Sequence, residues 1–408
     1  MDDAEQSPPL DLRDLKALSV LGRGAKGIAF LVQTRSPSTE TLALKAISKS
    51  KIEKKKSDDA YRRIWFERDV LKTLHHPLLP NLHGFLETEK IVGFVIQYCS
   101  GGNLSALRSK QTEKMFSDDI IRFYAAELVI ALEYLHGLGI VYRDLKPENV
   151  LIQENGHLML IDFDLSTKIT VKSPENLPIH PKRSENRVEK AVPIKKNRFP
   201  LFYCCSSGIQ EANPTVAPVR VGNNSVESAN SGKSNSFVGT EDYVAPEIIQ
   251  GNGHDFSVDW WSLGVLLYEM LYGQTPFRGC NRKETFYRIL TKAPELVGEQ
   301  TPLRDLIRRL LEKEPEKRIS SDGIKAHEFF RGVDWETVPR ISRPPYIPEW
   351  RADVEETEGI LEIDMEKYAE NVFGVTDDAE KDRSLEKSKS VWVDGLSHPP
   401  NTADFSIF

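Results

Sequence analysis

Apolar and polar positions along the chain change texture several times. A polar, acidic start gives way near Leu18 to "LSVLGRGAKGIAFLVQTR" and "TLALKAIS". Both stretches read as strands, with the turn-rich "SPSTE" between them. A helix is expected over Ala60–Leu74, where Ile64, Val70, Leu71 and Leu74 are apolar and Pro77 stops the run. "IVGFVIQYCS" reads as a short strand ended by Gly101-Gly102. The clearest helix is "FSDDIIRFYAAELVIALEYLHGLG". Ser117 is its expected N-cap, two acids fill the first turn, and Gly137 and Gly139 end it. Ile121, Tyr124, Leu128, Ala131 and Leu135 fall on one face. Short strand-like runs follow at Val150–Ile152 and Leu158–Ile161, then helices over Val258–Leu271 and Leu303–Leu311.

Three segments lack such periodicity. Residues 1–14 read as a flexible polar arm. Residues from about 169 to 233 are rich in Pro, Ser, Asn and Lys and are expected to be a disordered or functional insert. The tail over 331–408 is Pro-rich and then acidic, suited to a wrapping or flexible extension.

Composition narrows the classes. The 408 residues are 39% hydrophobic and 28% charged, enough for one large domain or two lobes with tails. A net charge of -7 argues against nucleic-acid binding. Cys99, Cys204, Cys205 and Cys280 form neither a disulfide framework nor zinc-like spacing, which suits a reducing compartment. No apolar run is long enough to span a membrane, and the N-terminus has no signal-peptide core.

Chemistry-bearing residues cluster in three places. Gly22-x-Gly24-x-x-Gly27 lets backbone amides approach phosphate, but a glycine-rich hairpin fits as well. A dinucleotide-binding reading needs a helix next, and "IAFLVQTR" is strand-like. Lys45 on its strand is either a snorkelling surface residue or a phosphate ligand, with Glu67 as the candidate partner. "YRDLKPENVLI" is the strongest signal. An aspartate able to take a hydroxyl proton, a lysine two positions on and an asparagine able to ligate magnesium form a kinase-type catalytic loop.

These pieces, with "DFD" at Asp162–Asp164, "APE" at Ala245–Glu247, "DWWSLG" and Arg318, occur in protein-kinase order. From about Leu15 to Phe330 the chain resembles the AGC group of Ser/Thr kinases. Tyr142 at the usual histidine position, "GTEDYVAPE" and the tail point there. The insert and Asp164 in place of a glycine resemble the plant AGC VIII kinases, in particular the UNICORN type. The resemblance implies an α+β two-lobe kinase fold. A small, mostly antiparallel β lobe with one main helix would cover 15–98, and a large helical lobe 99–330. It implies a serine/threonine protein kinase signalling in plant growth and development, using ATP and Mg2+ on protein substrates; the alternative is a pseudokinase or scaffold.

By the same resemblance, Asp144 and Lys146 are catalytic, and Asn149 and Asp162 hold magnesium. Leu21, Gly22, Gly24, Gly27, Ala29, Lys45, Glu67, Gln97 and Cys99 form the nucleotide site, with Ile96 behind the adenine. Tyr142, Phe163 and Leu71 stack as a hydrophobic spine, and Glu247 pairs with Arg318. Ser236 matches the activation-loop phosphosite, with Ser234 competing and Arg143 as phosphate partner. Phe405 and Phe408 match a C-terminal FxxF motif that docks on its own small lobe or on an upstream phosphoinositide-dependent-type kinase. Lys26, Ala29 and Asn103 depart from the pattern, and Asn103 puts an arginine preference in doubt. Seven Lys or Arg against two acids over 182–198 suit a solvated loop, nuclear import or weak contact with anionic membrane. A monomer in cytoplasm and nucleus is expected, with the plasma-membrane periphery as alternative.

Overall fold

The computed structural model describes residues 10–24, 27–35, 39–54, 58–169, 240–348 and 363–373. The chain opens with strands β1 (Leu15–Arg23), β2 (Gly27–Thr34) and β3 (Thr41–Ser48), then helices α1 (Lys49–Lys54) and α2 (Asp58–Thr73). Strands β4 (Leu82–Glu87) and β5 (Ile91–Gln97) complete an antiparallel sheet in the order β1-β2-β3-β5-β4. Its two faces have different covers. Ile28, Phe30, Val32, Leu42, Leu44 and Ala46 point to an outer apolar cluster. Ala29 and Lys45 are register partners and share the inner face.

Helices dominate thereafter: α3 (Leu104–Ser109), α4 (Asp118–Gly137), then short strands β6 (Ile140–Val141), β7 (Val150–Ile152), β8 (Leu158–Leu160) and β9 (Thr167–Lys168). Helices α5 (Pro246–Gln250), α6 (Ser257–Tyr272), α7 (Arg282–Thr291), α8 (Pro302–Leu310) and α9 (Ser321–Lys325) follow. Most of α6 is buried, including Trp261 and Leu263–Leu267. A helix apolar on every side must sit inside a core rather than on it. The expected face of α4 is buried, from Ile121 to Leu135, and Ser117 stands at the N-cap position without a side-chain hydrogen bond.

Two parts of the expected arm and tail are built into the fold. In residues 10–14, Asp11 caps a 3-10 turn over Leu12–Asp14, and Leu10 lies against Gly84, so this end of the arm is not free. The tail returns along the β7–β8 hairpin, where His157 Nε2 meets the carbonyl of Ile341 at 2.9 Å. Gly156 lies so close to the Tyr346 carbonyl that a Cβ would sit 2.2 Å from it. Farther on, α10 (Met365–Phe373) seats Met365, Ala369 and Phe373, one turn apart, on the outer face of the sheet. The acidic tail pattern hid this helix, because only its buried face is apolar. Among the described residues no helix is long and apolar enough to cross a membrane.

Candidate active site

The glycine turn comes first. Gly24 N donates to Gly27 O at 2.9 Å and closes the turn from β1 to β2. Gly27 has a steric reason to lack a side chain, since a Cβ there would lie 2.5 Å from the carbonyl of Ala46 on β3. A register shift between Val20 and Gly22 leaves Leu21 at a bulge, and Gly22 then pairs with Ala29. Ile96 and Leu151 pack beside Cys99, Met159 and Ile161 in a small apolar cluster. Burial pushes the Cys99 thiol up to about 12, so it is a packing residue rather than a nucleophile. Gln97 ends β5, and its Oε1 accepts from Asn81 N at 3.2 Å.

Below the sheet, Lys45 bridges two carboxylates. Its Nζ lies 2.8 Å from Glu67 Oε1 on α2 and 2.8 Å from Asp162 Oδ1. Burial opposes the ammonium charge, but Asp162 and Glu67 outweigh it and raise the Lys45 pKa. Burial pushes Glu67 up to about 7 against the pull of Lys45. Glu67 Oε1 also accepts from Phe163 N at 3.3 Å, which ties α2 to the segment that carries Asp162.

The catalytic-loop residues converge on the same cleft. Lys146 Nζ lies 2.9 Å from Asp144 Oδ2 and 3.3 Å from Thr240 Oγ1. Thr240 Oγ1 in turn donates to Asp144 Oδ1 at 3.2 Å. Burial raises the Asp144 pKa, with Lys146 opposing it. Asn149 Nδ2 donates to the Asp144 carbonyl and to Asp144 Oδ2, both at 2.9 Å. Two acceptors around one end fix the orientation of this amide. Its Oδ1 is then a buried oxygen with no hydrogen-bond partner among the described residues. A buried orphan acceptor near Asp162 fits an oxygen-seeking cation such as Mg2+, which takes few protein ligands beside substrate phosphates.

The Tyr142 hydroxyl donates to the carbonyl of Ile161. Its ring meets Phe163 edge-on at 5.5 Å, and Leu71 is buried in the same core. Asn103 Oδ1 accepts from Ala106 N at 2.8 Å, so this side chain caps α3. Glu247 and Arg318 pair at 2.7 Å in the large lobe, as expected. Ser234, Ser236, Lys26, Phe405, Phe408 and the basic stretch lie outside the described residues.

Two functional residues escaped the sequence reading. Thr240 appears there only as part of "GTEDYVAPE", with nothing local to mark its contact with Asp144. Asp259 is fully buried in the first turn of α6. Its Oδ2 accepts from Tyr142 N at 2.9 Å and its Oδ1 from Arg143 N at 2.7 Å. His136 Nε2 lies 2.8 Å from the same carboxylate. The hints in sequence were an acid in the first turn of a largely apolar helix and its place in "DWWSLG".

A small antiparallel lobe, a helical lobe and a lysine–carboxylate–asparagine cleft between them define a protein kinase. The protein kinase domain family matches residues 15–182 and 224–330, and the chain belongs to that family. It is 52% identical over 412 residues to the serine/threonine-protein kinase OXI1 of Arabidopsis thaliana, covering 97% of this chain and 96% of that protein. It is 43% identical to the serine/threonine-protein kinase UCNL of the same plant, over 89% of this chain and 91% of that one. For the serine/threonine-protein kinase UCN, also from Arabidopsis thaliana, the identity is 42%, over 83% and 85%. The chain is a serine/threonine protein kinase of the plant AGC group. A protein kinase domain implies use of ATP and Mg2+ and action on protein substrates.

Proposed function

We propose that this cleft transfers the γ-phosphoryl group of ATP to Ser or Thr hydroxyls through six residues. Lys45, fixed by Glu67, holds the α- and β-phosphates, and Leu21, Gly22, Gly24, Gly27 and Ala29 cover the nucleotide. Ile96, Gln97 and Cys99 border the adenine. Asn149 and Asp162 hold magnesium, which offsets phosphate charge when bound. Asp144 orients the substrate hydroxyl and accepts its proton as the oxygen attacks phosphorus. The bond from the γ-phosphorus to the bridging oxygen breaks, and ADP leaves. Lys146 stabilises the charge on the transferring group. The observation that carries this reading is the double contact of Lys45, 2.8 Å from each carboxylate, beside the orphan Oδ1 of Asn149.

Regulation completes the proposal. Phosphorylation at Ser236 orders the activation segment against Arg143. Phe405 and Phe408 dock on the small lobe or recruit an upstream phosphoinositide-dependent-type kinase. The capping role of Asn103 supports a weak preference for arginine before the phosphosite. The 52% identity to OXI1 against 43% and 42% for UCNL and UCN supports a position in the plant AGC VIII subgroup broader than the UNICORN type alone. The protein acts as a monomer in cytoplasm and nucleus, with the basic stretch giving membrane-edge contact as the alternative. Fractionation after its cations are replaced by Gln tests that placement.

Radiolabel transfer from ATP to a mixed Ser/Thr protein substrate tests the core. Wild type transfers label, and Lys45→Glu and Asp144→Asn fall to background. Equal signal in all three contradicts the proposal and leaves the scaffold reading. In the same assay, unchanged Ser236 labelling by an upstream kinase after removal of Phe405 and Phe408 rules out docking through them.

A further inference from the structure

Arg23 stands between Gly22 and Gly24, yet it does not face the cleft. Its register partner across the strands is Ile28, which lies in the outer apolar cluster. Directly opposed residues share a face, so Arg23 points outward while Gly22 and Ala29 face inward. On that outer side it meets α10. Arg23 Nη2 donates to the Val372 carbonyl at 3.0 Å, in the last turn of the helix. The guanidinium also lies 5.5 Å from the centre of the Phe373 ring. Lys51 of α1 approaches the same ring at 5.8 Å. A cation at the carbonyl end of a helix and over an aromatic face is held twice, by the helix dipole and by the ring.

The helix itself is anchored independently. Met365, Ala369 and Phe373 are buried on the sheet, and Lys90 Nζ pairs with Glu370 Oε2 at 2.9 Å. Thr88 Oγ1 meets Glu366, and Ile363 N donates to Ala17 O at 3.4 Å. These contacts bind α10 to β1 and to the turn between β4 and β5. The helix is therefore held on the sheet at several points besides Arg23.

We propose that Arg23 is a positioning residue through which the tail helix α10 sets the glycine turn over the nucleotide phosphates. This rests on the proposed role of Gly22, Gly24 and Gly27. Seating of α10 pulls the first half of the turn outward and fixes the height of its backbone amides. Through this contact α10 tunes nucleotide affinity from the outer face of the sheet.

The test uses the full chain and two readouts, Kd for Mg-ATP by fluorescent-nucleotide titration and steady-state kinetics with a protein substrate. Arg23→Ala raises Kd and KM for ATP by about three- to tenfold, as expected for loss of one charged hydrogen bond and one cation–ring contact. Saturated kcat, KM for the protein substrate and Tm stay near wild type. Phe373→Ala raises Kd and KM for ATP in the same way but also lowers Tm, because its ring is buried against the sheet. The double variant has no weaker nucleotide affinity than either single one, and Arg23→Lys restores most of the affinity. Unchanged nucleotide affinity in Arg23→Ala overturns the proposal, as do additive effects of Arg23→Ala and Phe373→Ala. Failure of the wild type to transfer phosphate counts against the proposed function instead, because Kd still reads the tether.

Discussion

Arg143 and Asp162 both hold left-handed backbone, with φ of 69° and 64°. Such residues cost about 1–3 kcal/mol each and persist only where their surroundings fix them. Asp259 fixes the first through the amide of Arg143, and Lys45 grips the side chain of the second. Asp164, by contrast, lies outside the left-handed region. Its amide approaches Asp162 Oδ1 at 3.4 Å, so this conformation makes no demand for glycine at the third position. At the same scale, His254 gives a pH dependence. Burial, then Arg143, pushes it down to about 4, with Asp259, Glu247 and Asp255 pulling weakly the other way. Arg143 Nη1 lies 3.3 Å from its Nε2. A histidine depressed in the fold resists protonation there but not in the unfolded chain. Its stabilisation is complete above about pH 6.5 and is lost as pH falls toward 4, by roughly 3 kcal/mol at most. Thermal unfolding at pH 7.5 and pH 5 should show this loss, and His254→Gln should reduce it. An equal drop in both proteins means that His254 does not carry the effect.

At the scale of elements, α6 anchors the catalytic loop. Asp259, itself fully buried, accepts two backbone amides and touches His136. Asp259→Asn turns one acceptor into a donor that faces N–H groups. Loss of stability by about 3 kcal/mol is expected, with a larger fall in kcat than in nucleotide affinity. Denaturant unfolding and steady-state kinetics measure the two; unchanged kcat would show that the loop holds its shape by other means. Much of the element pattern was legible in sequence. The apolar face of α4 and the β7 run match their expected spans because a local period determines both. Asp259 was not legible as an anchor, since its partners are far away along the chain. Helix α10 was hidden for a different reason. Nine residues with three buried positions show too little apolar surface to stand out in an acidic tail. Its stability comes from the sheet that it covers.

Across the whole molecule, the fold brings together residues that are distant in sequence. The catalytic loop was readable because Asp144, Lys146 and Asn149 are near neighbours. Lys45 and Glu67 were only a candidate pair in sequence, because a strand lysine and a helix glutamate are ordinary surface choices when seen alone, and Asp162 joined them only through the resemblance. Their convergence is the central claim, and Asp162 and Asp164 separate it from a general need for negative charge. One assay of Mg2+-dependent phosphoryl transfer decides between them, run on wild type, Asp162→Asn and Asp164→Gly. Transfer by wild type and Asp164→Gly, with Asp162→Asn at background, is the predicted result. Activity in Asp162→Asn, or its equal loss in both variants, would contradict it.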